Sequence, residues 1–243
     1  MKAVLLAAGR GTRMGALTER TPKPLLRVNG RPILGIIIEG LAEAGIRDVV
    51  VVTGYLGEQI EAAFGDGAGL GVSIAYRRQT KTDGTGGALL LVRDLVEKEP
   101  FLLSWGDIIV RPAHYRVMTE DYARSPADVL LSVNPVDDPW RGAAVYVDDG
   151  GKVRRIVEKP PRGTSATSWN NAGVFIFSPL VLEYAAALVP SPRGEYELPQ
   201  AIARMVEDGR DVRAVPVGDL WSDVGTPQDL TAVGNLLAQA PTR

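Results

Sequence analysis

The sequence predicts an α/β fold of three layers, α/β/α, with helices on both faces of a mostly parallel mixed sheet and a smaller antiparallel elaboration in the second half. Three observations carry this expectation. Short β-branched apolar runs alternate with longer amphipathic stretches through the first 133 residues, the rhythm of βαβ units. Residues 48–54 (DVVVVTG) form a continuous apolar run, as suits a strand covered on both faces. After Val133 the rhythm changes, and two β-branched runs flank Asp149-Gly150-Gly151, a hairpin signal.

Taken in order, residues 2–9 (KAVLLAAG) end in glycine and read as a buried strand. Ile33, Ile36, Ile37, Leu41 and Ala44 are spaced as one face of a helix. Residues 48–54 read as a strand, 58–64 (EQIEAAF) as a helix and 71–76 (GVSIAY) as a strand. A helix is expected over 88–96, a strand over 101–107 (FLLSWGD), a polar amphipathic segment to Ala123, and a strand over 127–133 (ADVLLSV). Crossovers between parallel strands are expected to be right-handed. Beyond Val133, residues 143–159 read as two strands around their turn and 173–178 (GVFIFS) as another. A helix follows over 195–209, closed by Gly209, then a short strand over 212–217. The last helix spans 226–238, with Pro227 suited to its first turn. No linker rich in Gly, Ser or Pro, no repeat and no low-complexity tract divides the chain. The expectation is one domain, 1–243, with lobes over 1–133 and 134–243.

Composition narrows the function. Apolar residues are 45% of the chain, enough for a sizeable core. Lys and Arg total 27 against 29 Asp and Glu, so no basic field exists to hold nucleic acid or an anionic membrane. Cysteine is absent and His114 is the only histidine. That excludes disulfide staples, thiolate zinc sites, cysteine nucleophiles and histidine-cluster metal sites. No run reaches the roughly 18 apolar residues of a membrane span. The apolar start faintly resembles a signal peptide, but Arg10 and Arg13 follow it directly, and a first strand fits better. A soluble, cytoplasmic enzyme is expected.

The most informative segment runs from Leu5 to Met14 (LLAAGRGTRM). A buried strand leads into a loop whose Gly9 and Gly11 let backbone N–H groups approach a ligand. Thr12 adds a hydroxyl and Arg13 a charged fork suited to phosphate oxygens. Ligands of such sheets lie at the carboxyl ends of strands. The dinucleotide fingerprint would need glycine at position 14, which holds Met14, and the P-loop triplet G-K-[ST] is absent. Thr21-Pro22-Lys23-Pro24 follows, and its two prolines fix the backbone around Lys23.

LAAGRGTRM followed by TPKPLL resembles the signature of the sugar-1-phosphate nucleotidyltransferases. The resemblance continues in family order through Gly84-Thr85-Gly86-Gly87, Gly106-Asp107, Glu158-Lys159-Pro160, Asn171-Ala172-Gly173 and Trp221-Ser222-Asp223-Val224-Gly225-Thr226-Pro227. It implies a Rossmann-like nucleotidyltransferase fold, with 1–133 as the nucleotide-binding lobe and 134–243 as the sugar-phosphate-binding elaboration with closing helices. The implied reaction joins an NTP and a sugar 1-phosphate into an NDP-sugar and pyrophosphate. The attacking phosphate oxygen is already anionic near neutral pH, so the reaction needs positioning and charge neutralisation rather than a histidine base.

Under this resemblance, Arg13 holds the triphosphate and Lys23 stabilises charge at the α-phosphate. Asp107 and Asp223, each after a short apolar run, are the implied Mg²⁺ ligands. The backbone of Leu6, Ala7, Ala8 and Gly9, with Gly11 and Thr12, is expected around the nucleotide. Gln79, Gly84 and Thr85 are expected to face the base, and Gln79 favours dTTP or UTP. Gly142, Glu158, Lys159 and Asn171 form the expected sugar-phosphate end. The partners are then an NTP and a sugar 1-phosphate, with a homo-oligomer compatible.

Two positions depart from thymidylyl-type members: Ile108 stands where Asn is frequent and Arg141 where Tyr is frequent. Both bear on the choice of sugar, and Arg141 suggests a second anionic group on it. Residues 54–67 also resemble muramate-type uridylyltransferases, and GTGGAL resembles heptose-type guanylyltransferases. No hexapeptide repeat is present, so an appended acetyltransferase is not expected. A nucleotide-sugar-dependent glycosyltransferase is one alternative, although such enzymes usually carry D-x-D and none occurs here. A non-catalytic NDP-sugar-sensing paralogue is the other; Arg13, Lys23, Asp107 and Asp223, which such paralogues tend to lose, are all present. A NAD-dependent dehydrogenase is opposed by Met14.

Overall fold

The structure, a computed structural model, describes residues 1–239; the last four residues of the expected 134–243 lobe lie outside the described residues. The first half contains β1 (Lys2–Ala7), a two-residue pair β2 (Arg27–Val28) and β3 (Arg31–Pro32), α1 (Ile33–Glu43), β4 (Asp48–Thr53) and α2 (Gly57–Phe64). Next come β5 (Ser73–Arg78), α3 (Thr85–Leu90), α4 (Arg93–Val96), β6 (Phe101–Trp105), β7 (Ile108–Val110), α5 (Pro112–Arg124) and β8 (Val129–Pro135). The second half adds β9 (Ala143–Val147), β10 (Val153–Glu158), β11 (Trp169–Phe177), α6 (Val181–Ala186) and α7 (Leu198–Glu207). It closes with β12 (Val212–Pro216), β13 (Trp221–Asp223) and α8 (Pro227–Ala238).

The apolar runs of β1 and β4 are explained by their place. Strand β1 lies between β4 and β6, parallel to both, with Leu5 opposite Val51 and Ser104. The central sheet has nine strands in the order β10-β9-β11-β6-β1-β4-β5, with β8 beside β11 and β12 beside β8. Only β10 and β11 run against the other seven, as the pairing directions require.

Successive strand residues serve opposite layers. Ala3, Leu5, Val49, Val51 and Leu102 point into one core with Ile33, Leu34, Ile37 and Leu41 of α1 and Tyr115 of α5. Val4, Val50, Val52, Phe101 and Leu103 point into the other, against Leu89 of α3, Leu182 of α6 and Ile202 of α7. Two cores separated by one sheet make the three layers that the sequence predicts.

Strand β11 carries the feature that shapes the site. Its register against β8 shifts between Asn171 and Phe175. Its second half pairs with β6, whereas Asn170 pairs with Ala144 of β9. Gly173 sits in this irregularity at φ +78°, and any side chain there would collide with the Trp105 ring. Glycine is therefore required both for the backbone angle and for the contact. Among the described residues, no helix is long and apolar enough to cross a membrane.

Candidate active site

The loop after β1 is held by local bonds. The Gly11 carbonyl accepts the Met14 N–H (2.9 Å) and the Thr18 hydroxyl (3.1 Å), and Met14 is buried. Thr12 and Arg13 stay exposed on this turn, and Gly9 is exposed before it. In the second loop, Pro22 and Pro24 flank a short turn in which the Leu26 N–H donates to the Lys23 carbonyl (3.0 Å). Lys23 is 7% exposed, an unusual place for a lysine unless its charge is paired.

Its partners are the two aspartates. Lys23 Nζ donates to Asp107 Oδ2 at 2.5 Å and lies 4.0 Å from Asp223 Oδ1. Arg13 Nη2 lies 3.9 Å from Asp223 Oδ2. Two cations and two carboxylates from distant parts of the chain thus meet at the carboxyl end of the sheet. The backbone sets this meeting. The Gly106 N–H donates to the Leu6 carbonyl (2.9 Å), which seats the turn carrying Asp107 against the end of β1. Strand β13 pairs with β7 so that Asp223 lies opposite Ile108, and the Val224 N–H donates to the Asp107 carbonyl (3.0 Å). Burial, and then the negative charge of Asp107, push the Asp223 carboxyl up to about 6, opposed by Lys23 and Arg13. Among the described residues, Asp223 Oδ1 is buried without a hydrogen-bond partner.

Beside this cluster, the ends of β1, β4 and β5 enclose a cleft of about 540 Å³ lined in part by Ala8, Arg10, Tyr55 and Gln79. The Ala8 carbonyl accepts the Tyr55 N–H (3.2 Å), and the Arg10 guanidinium stacks 5.0 Å above the Tyr55 ring. Gln79 Nε2 donates to Asp83 Oδ1 (2.7 Å) and to the Gly84 carbonyl (3.0 Å). The expected neighbours Gln79 and Gly84 are therefore together. The Thr85 hydroxyl oxygen accepts the Leu198 N–H (2.9 Å), which fastens α7 to α3.

The expected sugar-phosphate residues form a second group. The Lys159 N–H donates to the Gly142 carbonyl (2.7 Å), and Lys159 adopts φ +44°. A side chain on Gly142 would collide with the Asn170 amide, which itself donates to Asn134 Oδ1 (3.0 Å). Lys159 Nζ lies 3.8 Å from Glu158 Oε1. Burial, reinforced by Glu197, pushes the Glu158 carboxyl up to about 7. Asn171 Oδ1 accepts the Gly173 N–H (3.0 Å), while its Nδ2 is buried without a partner among the described residues. Trp221 Nε1 donates to the Ala172 carbonyl (2.9 Å), tying the strand that carries Asp223 to the Asn171–Gly173 bulge.

The sequence did not single out Asp83, the Asn134–Asn170 pair, or Arg193 bonded to the buried Glu197 (Nε to Oε1, 3.0 Å), all of which bond within or beside these groups. Arg193 and Glu197, like Gln79 and Asp83, are four residues apart but outside any helix, so the spacing carried no signal.

Residues 2–240 match the family described as Nucleotidyl transferase. The chain belongs to this family. A glucose-1-phosphate thymidylyltransferase of Streptomyces griseus is 34% identical over 239 residues, 98% of this chain and 66% of that protein, so the chain spans about two thirds of that relative's length. The UTP--glucose-1-phosphate uridylyltransferase AglF of Haloferax volcanii is 34% identical over all of this chain and 99% of its own. A Bacillus anthracis chain, crystallised with a sucrose and described as a candidate glucose-1-phosphate thymidylyltransferase, superposes with a TM-score of 0.89 at 28% identity, covering 100% of this chain and 97% of that one. The nucleotidyltransferase fold is thus shared across the described residues.

Proposed function

We propose that the protein transfers a nucleoside monophosphate from an NTP, with dTTP or UTP favoured, to a sugar 1-phosphate. One observation carries the reading: Arg13, Lys23, Asp107 and Asp223 converge although 84 residues separate Lys23 from Asp107. A phosphate oxygen of the sugar phosphate attacks the α-phosphorus in line. The bond from the α-phosphorus to the bridging oxygen of the β-phosphate breaks, and pyrophosphate leaves with that electron pair. Lys23, held rigidly and nearly buried, offsets charge at the α-phosphate, and Arg13 reaches from the exposed loop to the departing pyrophosphate. Glu158, Lys159, Gly142 and Asn171 hold the sugar phosphate.

Asp107 and Asp223 supply hard oxygen donors, and the unpartnered buried Oδ1 of Asp223 is the kind of atom a cation satisfies. These two residues would hold Mg²⁺, which supplies charge neutralisation on the phosphates when bound.

Pyrophosphate release across four NTPs and a panel of sugar 1-phosphates tests the reading. Release with UTP or dTTP and at least one sugar phosphate is expected. Transfer of sugar from an NDP-sugar to an acceptor, without pyrophosphate release, would favour the glycosyltransferase alternative.

A further inference from the structure

Gln79 is surrounded on one side by acceptors only. A glutamine amide has two N–H donors and one carbonyl oxygen. Its two neighbours, a carboxylate oxygen of Asp83 at 2.7 Å and the Gly84 carbonyl at 3.0 Å, can accept but cannot donate. The NH₂ group must therefore face them, and both of its protons are spent. Among the described residues nothing donates to Gln79 Oε1, and Gln79 lines the cleft at the ends of β1, β4 and β5. The amide presents an acceptor there and nothing else.

Asp83 is itself fixed. Its carbonyl accepts the Tyr196 N–H (2.7 Å), from the segment before α7. Its carboxylate occupies the space where a side chain on Gly87 would be, at the start of α3. The pattern Asp83-Gly84-Thr85-Gly86-Gly87 thus does more than turn the chain: the fourth residue after Asp83 must be glycine for the carboxylate to reach Gln79.

We propose that Asp83 is a positioning residue for nucleobase choice, holding Gln79 so that the base must bring an N–H to Oε1. This rests on the nucleotidyltransferase reading and narrows it. Uracil and thymine carry a proton on N3, in the middle of the pairing edge, and meet the requirement. Cytosine has a bare N3 in the same place and meets Oε1 acceptor to acceptor. UTP and CTP are nearly equal in size, so the comparison isolates the hydrogen-bond pattern from the volume of the cleft. A site that reads the base by its hydrogen-bond pattern rejects the partner that leaves that polar group unpaired.

The test is the ratio of kcat/KM for UTP over CTP, by pyrophosphate release with one sugar 1-phosphate, in the wild type and four variants. Thermal protection by each nucleotide is measured alongside as a binding readout. The wild type is expected to prefer UTP by about 10- to 100-fold. Asp83→Ala removes one of the two acceptors that hold Nε2 of Gln79, which loosens the amide, and the ratio falls by about tenfold. Asp83→Asn still offers an acceptor to Nε2 and keeps most of the preference. Gly87→Ala displaces the carboxylate without removing it and reproduces the loss. Gln79→Ala abolishes the preference outright. A residue that served only to stabilise the loop would lower both nucleotides' kcat/KM equally and leave the ratio alone. An active Asp83→Ala enzyme with the wild-type ratio overturns the inference while leaving the reaction standing. A wild type that releases pyrophosphate from no pair of substrates overturns the underlying reading and the inference with it.

Discussion

Replacing Lys23 with methionine keeps the length of the side chain and removes its charge. In the wild type, Nζ sits 2.5 Å from Asp107 and 4.0 Å from Asp223 while the lysine is 7% exposed. The variant leaves two carboxylates facing each other with only the exposed Arg13 nearby. Breaking a fully buried pair costs about 3–5 kcal/mol, and an exposed pair is worth about 0–1 kcal/mol. The aspartate side chains are 28% and 37% exposed, so a cost of about 2 kcal/mol lies between these limits. For a chain of this size that lowers the thermal midpoint by about 4–8 °C.

The cost has a pH signature. The Asp223 carboxyl is already raised to about 6, and loss of Lys23 raises it further. A carboxyl raised in the folded state destabilises the fold when ionised and ceases to do so once protonated. The penalty of Lys23→Met is therefore full at pH 8 and smaller at pH 5. Scanning calorimetry at the two pH values measures it, with pyrophosphate release as the activity readout. Turnover is expected to drop by about 10²–10³, as for loss of one preorganised charge-stabilising group. Equal thermal midpoints to wild type at both pH values, together with unimpaired turnover, would refute the coupling of Lys23 to the two aspartates.

Other consequences follow from named groups. Burial holds the His114 imidazole down to about 4, and it pairs with the Ser132 hydroxyl at 2.7 Å. Its neutral form is favoured in the fold, so its contribution is complete above pH about 6.5 and is lost as pH falls towards 4, a swing of up to about 3 kcal/mol. His114→Leu should flatten that part of the stability profile in denaturant titrations. The Glu158 carboxyl shows the opposite sign. It is raised to about 7, so stability falls as pH rises from about 4.5 to 7. Glu158→Gln should remove that decline and leave the variant the more stable protein at pH 8. Gly142→Ala should displace Asn170 from Asn134, costing about 1–3 kcal/mol in urea unfolding and raising KM for the sugar phosphate more than KM for the nucleotide.

The strands read most directly from sequence are those whose residues face two cores. Strands β1 and β4 carry unbroken apolar runs because both faces are covered. Short pieces escaped: β7 and α6 have three and six residues, too few to establish a period. The helix expected over 88–96 is α3 followed by α4, and α3 begins at Thr85. Its glycines read as loop, but packing against the Tyr196 backbone and the Thr85–Leu198 bond override that weak propensity. Strand β11 begins at Trp169 rather than Gly173 because Asn170 is buried on Asn134, 36 residues away. No local pattern announces a partner at that distance.

The site divides in the same way. The convergence of Arg13, Lys23, Asp107 and Asp223 was legible because glycine and proline mark their loops and because their motifs follow in family order. Asp83 was not, since its contact with Gln79 depends on which way that side chain turns and on the room left at Gly87. A sequence shows that glutamine is present but not which way its amide points.

The most direct measurement follows the label from [α-³²P]UTP incubated with a sugar 1-phosphate, Mg²⁺ and the wild-type protein. The account predicts that the label leaving the triphosphate goes into a nucleotide-sugar, with unlabelled pyrophosphate formed in equal amount, and that Lys23→Met slows both together. Label recovered as UMP or UDP, with no nucleotide-sugar formed from any sugar phosphate, would contradict it.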